Sequence, residues 1–247
     1  MGKLGKSGGG VTTLSLVVGL GEVGRPLQAV LKRVHRVEGV DLSPHDVSER
    51  VDFLHVCYPG EIPDFIGTTA TYVARYKPSV VVIHSTVPVG TTRATQERVG
   101  SPVVHSPVRG KHARMQDELV HYVKFVGAQD ERAAVRTAEH FEAAGIRTRR
   151  LASPEATELA KLTETTYLGV LVAFAQDVNR FAHRVGVPYE EIIEFYKEIA
   201  YLPSVQFFPG VIGGHCVMPN IDLLKRAFDS RLLDAIEWSN ELRKSEG

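Results

Sequence analysis

Two stretches of this chain combine residue types and spacings that could do chemistry. Toward its C-terminal end, Gly213 and Gly214 precede His215 and Cys216, inside a Pro/Gly-rich run over residues 202–220. A thiol becomes a useful nucleophile where a neighbouring cation or a helix N-terminus lowers its pKa, and His215 is adjacent. The plain alternative for Cys216 is an inert buried thiol. Cys57, set in an apolar run, is read that way. His215 and Cys216 do not read as a metal site, because no second Cys or His pair stands at ligand spacing. Near the other end, Gly19-Leu20-Gly21-Glu22-Val23-Gly24 follows the β-branched run 13–18 and precedes a helical pattern over 25–34. Strand, GxGxxG, helix is the order that a dinucleotide pyrophosphate needs. The first glycine makes the turn, the second lets backbone approach phosphate, and the third lets helix pack on strand. A second strand over 37–41 ends in Asp41, an acid about 20 residues on that would bind ribose hydroxyls and repel a 2′-phosphate. The cofactor expected is NAD rather than NADP, held by Gly19, Gly21, Glu22, Val23, Gly24 and Asp41.

The elements that must position these residues read as an α/β chain. Strands are expected over 52–58, 79–84, 102–105, 122–126 and 147–150, with helices over 65–76 and 131–144 and a short one ending near 99. Between Asp41 and the strand at 52–58 there is too little chain for a crossover helix. Ligands bind at the carboxyl edge of a parallel sheet, which places Tyr58 and the strand tip Ser85–Thr92, with Thr86, at the cofactor. Arg109, Lys111, His112 and Arg114 crowd a Gly/Pro loop and read equally as an anion clamp or a solvated loop.

The longest helix is expected over 153–185. Ser153 is a good N-cap, Pro154 is tolerated at the first position, and Gly186 and Pro188 supply the stop. Its segment 167–175 is apolar on nearly all sides, so it should be buried all round, by its own chain and by a second copy. Shorter helices follow over 189–196, 221–228 and 232–243.

Composition bounds the rest. Lys+Arg and Asp+Glu both total 29, so no basic field invites nucleic acid or a membrane surface. Two cysteines point to a reducing, cytoplasmic setting. Residues 1–10 lack an apolar signal core and read as a disordered tail.

With these residues placed, the chain resembles the UDP-glucose/GDP-mannose dehydrogenase family. The likeness lies in GLGEVGRPL from Gly19, STVPVGTT from Ser85, ELAKLTETTYLGV from Glu158 and PGVIGGHC from Pro209. The resemblance implies NAD-dependent oxidation of a sugar alcohol through an aldehyde held as a thiohemiacetal on Cys216, with Lys161 and Thr86 as further catalytic groups. Three positions depart from the family pattern. Thr165 stands for its Asn, Asn220 for its Asp, and Val108 for its Glu. The family's C-terminal nucleotide-binding domain is also expected to be missing, and a lysine in a central helix is equally similar to the β-hydroxyacid dehydrogenases.

The expectation is therefore an N-terminal Rossmann-type NAD-binding domain over 11–152 and a helical substrate and dimerisation domain over 153–247, through whose long helix the chain pairs. It would oxidise a small, anionic alcohol or aldehyde, with Arg109, His112, Thr165, His215 and Asn220 as substrate contacts. The alternatives are an NAD-binding homodimer with lost or altered chemistry and a two-electron hydroxyacid dehydrogenase.

Overall fold

A computed structural model describes residues 13–43, 45–199, 208–214 and 216–246, without the side chain of His112. The expected tail over 1–10 lies outside the described residues, as does His215. Two units divide the chain, residues 1–158 and 159–247, with the division inside the long helix.

In the first unit, β1 (Leu14–Val18), β2 (Arg36–Val40), β3 (Phe53–Val56), β4 (Val80–Ile83), β5 (Val103–His105), β6 (Lys124–Ala128) and β7 (Thr148–Leu151) form one sheet in the order β2-β1-β3-β4-β5-β6-β7. The first five run parallel; β6 is antiparallel to β5, and β7 parallel to β6. Strands buried on both faces read as continuous apolar runs, which is why VVVI of β4 and FLHV of β3 are legible. One face packs on α1 (Gly24–Leu31), α4 (Met115–His121) and α5 (Glu131–Ala143), the other on α2 (Phe65–Tyr76). α3 (Thr91–Val99) follows β4, and a single 3-10 turn at His112–Arg114 leads into α4. The chain passes from β2 to β3 without a helix, as its length required. In doing so it crosses β1, so the strand order reverses between β1 and β3. That reversal opens a crevice at the carboxyl ends of these two strands.

In the second unit, the long helix α6 (Pro154–Val185) continues from the first. It is followed by α7 (Tyr189–Lys197), α8 (Val217–Lys225) and α9 (Arg231–Glu246). Ser153 caps α6 as expected, accepting the Ala156 amide at 3.2 Å. α8 begins four residues earlier than its sequence suggests, because Pro219 sits in its first turn, where a missing N–H costs nothing. The burial expected all around 167–175 does not hold within one chain. Tyr167, Phe174 and Phe181 are each more than half exposed.

A row of aromatic rings lies under the first face of the sheet. His140 stacks at 4.1 Å on both His35 and Phe53, and His55 Nδ1 lies 3.0 Å from His84 Nε2. Burial pushes His55 down to about 3 and holds His84 and His140 well below the usual histidine range, so these rings are neutral in the fold. Unfolding returns them to about 6.5. The unfolded chain therefore binds more protons below that pH, and stability is present above 6.5 and lost as pH falls toward 3. Urea unfolding at pH 5.5 should show a lower midpoint than at neutral pH, because the unfolded chain takes up protons that the buried rings do not. An unchanged midpoint would mean that the rings are not held neutral.

Candidate functional site

The glycine turn sits at the β1/β3 crevice. Gly19 has φ +90, and a Cβ there would come within 2.7 Å of the Tyr58 amide nitrogen, so β1 and β3 meet through a position that only glycine fills without strain. A Cβ on Gly24 would overlap the carbonyl oxygen of Gly19. Gly21 is different: a Cβ would find nothing within 4 Å. The first and third glycines are thus occupied with packing, while the second faces open space, as a phosphate approach requires. Glu22 is exposed and Val23 packs against the core beneath α1. Asp41 is exposed directly after β2. These residues fit a dinucleotide.

Tyr58 contributes through its backbone. Its ring leans on Phe65 at 5.2 Å and its hydroxyl bonds Thr69 Oγ1 at 2.6 Å, so the side chain belongs to the packing of α2. Burial raises its pKa. Thr86 is half-buried, and its carbonyl oxygen lies where a Cβ on Gly60 would overlap it. Ser85 Oγ donates to the Tyr58 carbonyl at 2.5 Å, which joins the tips of β3 and β4.

The basic loop is partly engaged within its own unit. Arg109 lies 5.5 Å from the Tyr122 ring centre and 5.6 Å from that of Phe125, and Arg114 pairs with Glu118 at 2.9 Å. A further basic side chain of this region was not foreseen. Lys124 is buried in β6 and donates to the carbonyls of Ser106 at 2.7 Å and Pro107 at 3.2 Å. Val108 is buried apolar core.

In the second unit the remaining candidates gather along one seam. Lys161, Thr165 and Gly169 recur every four residues on α6, hence on one face. A Cβ on Gly169 would come within 2.7 Å of Val217 Cγ1, so α8 crosses α6 there. One turn before, the Asn220 amide donates to Thr165 Oγ1 at 2.6 Å. Two of the three departures from the family pattern are therefore bonded to one another. Cys216 is exposed as the N-cap residue of α8, one turn from Asn220. Lys161 keeps 15% of its side chain exposed and stands 3.7 Å from Glu164, a loose pair. Cys57 is inert, its thiol pushed up to about 12 by burial.

Two buried amides that sequence did not single out hold the segment leading to Cys216. Asn240 accepts the Ile212 amide at 2.7 Å and donates to its carbonyl at 3.0 Å, and Gln176 donates to the Gly210 carbonyl at 2.7 Å. Nothing in sequence marks either, since both lie on helices remote from the motif. Among the described residues no cluster of three or more His, Cys, Asp or Glu could hold a metal ion, and no helix is long and apolar enough to cross a membrane.

A mostly parallel sheet with a glycine turn at its switch point, followed by a long helix bearing the seam, defines a Rossmann-type α/β protein with an appended helical unit. Residues 155–242 match the model of the UDP-glucose/GDP-mannose dehydrogenase family, central domain, in keeping with the resemblance read from the motifs. The chain is 29% identical over 143 residues to a UDP-N-acetyl-D-mannosamine dehydrogenase of Methanocaldococcus jannaschii, a match covering 56% of this chain and 33% of that protein. It is 26% identical over 265 residues to an NDP-N-acetyl-D-galactosaminuronic acid dehydrogenase of Ralstonia nicotianae, covering 81% of this chain and 62% of that one. The chain thus spans a third to under two thirds of the length of these relatives. In fold it is similar to a UDP-D-ManNAc dehydrogenase from Pyrococcus horikoshii, with a TM-score of 0.81 at 21% identity over 95% of this chain and 69% of that chain.

The glycines separate packing from binding. Gly24→Ala should destabilise by about 1–3 kcal/mol, because the new methyl overlaps backbone. Gly21→Ala should leave the melting temperature unchanged and weaken dinucleotide binding by about tenfold, or 1.4 kcal/mol. Calorimetry and NAD titration on both variants check the pair of outcomes.

Proposed function

We propose that this chain is an NAD-dependent oxidoreductase acting on a nucleotide-linked sugar. The observation that carries the reading is the seam in the second unit, where Lys161, Thr165, Cys216 and Asn220 share one helix crossing inside the stretch that matches the family's central domain. The names of the relatives move the substrate from the small alcohol that the motifs alone suggested to a nucleotide sugar. Such a substrate is still anionic, through its diphosphate.

In this reading the turn from Gly19 to Gly24 would hold the pyrophosphate, approached at Gly21, and Asp41 the ribose of an NAD that would supply the hydride acceptor. The residue after Asp41 is Leu42 rather than an arginine, which favours NAD over NADP. Lys161 stabilises the alkoxide as the alcohol loses its hydride. The Cys216 thiolate then adds to the aldehyde carbonyl, forming a C–S bond and a thiohemiacetal. Transfer of a second hydride, to a second molecule of NAD, would give a thioester, which water would hydrolyse to the acid and the free thiol.

A second reading stops after one hydride, and the Asn220–Thr165 pair favours it. An amide cannot take a proton from water, so the seam offers no carboxylate base for thioester hydrolysis at that position. Incubation with UDP-N-acetyl-D-mannosamine and with UDP-glucose should yield two NADH per sugar consumed. One NADH would sink the cysteine route and establish the two-electron reading. Lys161→Ala should remove the first transfer in either case, while Cys216→Ser should halt only the second. Reduction of NADP in preference to NAD would remove the ribose role of Asp41.

The chain is further proposed to pair with a second copy. Tyr167, Phe174 and Phe181 stand seven residues apart on α6, each more than half exposed, with Val185 continuing the stripe at 72% exposure. A repeat of seven suits the packing of one helix against another, and a stripe that is its own complement suits a two-fold dimer. Light scattering should give twice the chain mass, and Phe174→Glu should give monomers or aggregates. A wild-type monomer would remove the proposal.

A further inference from the structure

The loop that leaves β4 is clamped at both ends. At its start, Ser85 Oγ donates to the Tyr58 carbonyl at 2.5 Å, and His105 Nε2 lies 3.2 Å from the Ser85 carbonyl oxygen. At its end stands Glu158, fully buried in the second turn of α6. Its carboxylate accepts the Gly90 amide at 2.6 Å, the Thr92 amide at 2.8 Å and the Thr92 hydroxyl at 2.6 Å. Gly90 is the N-cap residue of α3 with φ +93, so it turns the chain without offering a side-chain cap of its own. Glu158 supplies that cap from another helix. Thr86 lies between the two clamps, at the sheet edge that carries the glycine turn.

A carboxylate buried among neutral donors is costly unless each of its bonds is made. An exposed cap, or a serine at position 90, would satisfy the same amides more cheaply. What Glu158 adds is a fixed distance between α6 and the loop. We propose that Glu158 is a positioning residue that sets the 85–90 loop for dinucleotide binding, acting through Gly90 and Thr92. This rests on the NAD-binding reading above.

Glu158→Gln is the matched probe. It is isosteric, yet it has a single acceptor oxygen, so one of the two amides must face an NH2 group. NAD affinity measured by calorimetry should fall about tenfold, the size of one lost charge-assisted hydrogen bond. Amide hydrogen exchange over residues 90–92 should quicken in the same variant. Thr92→Val, which removes only the hydroxyl, should shift both readouts in the same direction by less. Arg93 and Glu155 join α3 to α6 by an outer ion pair of 2.6 Å, which provides the control. Glu155→Gln removes that pair and should leave NAD affinity unchanged. Equal weakening by Glu155→Gln would reduce Glu158 to one tie among others and overturn the proposal. So would a Glu158→Gln variant with wild-type affinity and exchange. A wild-type chain that binds no NAD would overturn the underlying reading, and this one with it.

Discussion

A helix of 32 residues makes about nine turns, and each sector of α6 is committed to something different. Its first turns present Thr157 and Glu158 to the sheet unit, where His105 Nδ1 lies 2.8 Å from Thr157 Oγ1. The next face carries Lys161, Thr165 and Gly169 along α8. Farther along, Ala173 and Gln176 meet Ser239 of α9, whose hydroxyl donates to Gln176 Oε1 at 2.9 Å. Arg180 closes the end, bonding Ser239 at 2.7 Å. Because side chains recur at 3.6 residues per turn, moving any one of the contacts within the second unit by a residue would rotate the others there by about 100°. Within that unit the register of α6 is therefore fixed at several points.

Much of the second unit's buried polarity, among the described residues, is carried by neutral groups. Asn240, Ser239, Gln176, Asn220 and Thr166 are buried there, and they bond to amides, hydroxyls and carbonyls. Neutral groups can be buried with full hydrogen bonding at modest cost, whereas a buried charge demands a partner. The sheet unit buries Lys124 and Glu158, and bonds each of them to backbone groups. Both of these residues fasten loops at the same edge of the sheet, Glu158 the loop after β4 and Lys124 the loop after β5. Cost is accepted where loops must be held, and that is the edge on which the glycine turn opens.

Much of this was legible because local signals agreed with one another. Short apolar runs gave β1, β3 and β4 to within two residues at each end, and Phe65–Tyr76 was read with its observed bounds. α4 was missed because seven residues, mostly polar, are too few for a period to emerge. The histidine row was missed for another reason. A ring that is neutral only because it is buried looks polar in sequence, and nothing local says that His55 and His84 will face α5. At the site, glycines and motif residues could be named in advance. The amides that hold them could not, since Asn240 lies 28 residues from the Ile212 it grips. The apolar stretch of α6 was visible, but pattern alone cannot say whether the cover comes from the same chain.

The two departures on the seam are best understood as one change. Thr165 Oγ1 lies 3.0 Å from the Leu162 carbonyl, to which it donates its proton, as hydroxyls in helices commonly do. What it then offers toward α8 is a lone pair. Asn220 meets that lone pair with an N–H at 2.6 Å. A carboxylate at position 220 has no proton to give, so it would have to draw the Thr165 proton away from Leu162 or face an oxygen at bonding distance with nothing between. An amide removes that conflict. An asparagine at position 165, with an NH2 of its own, could serve a carboxylate partner, and threonine in this rotamer cannot. The identity of one residue thus constrains the other through a single hydrogen, and the loss of charge at the seam follows from the pair rather than from either position alone.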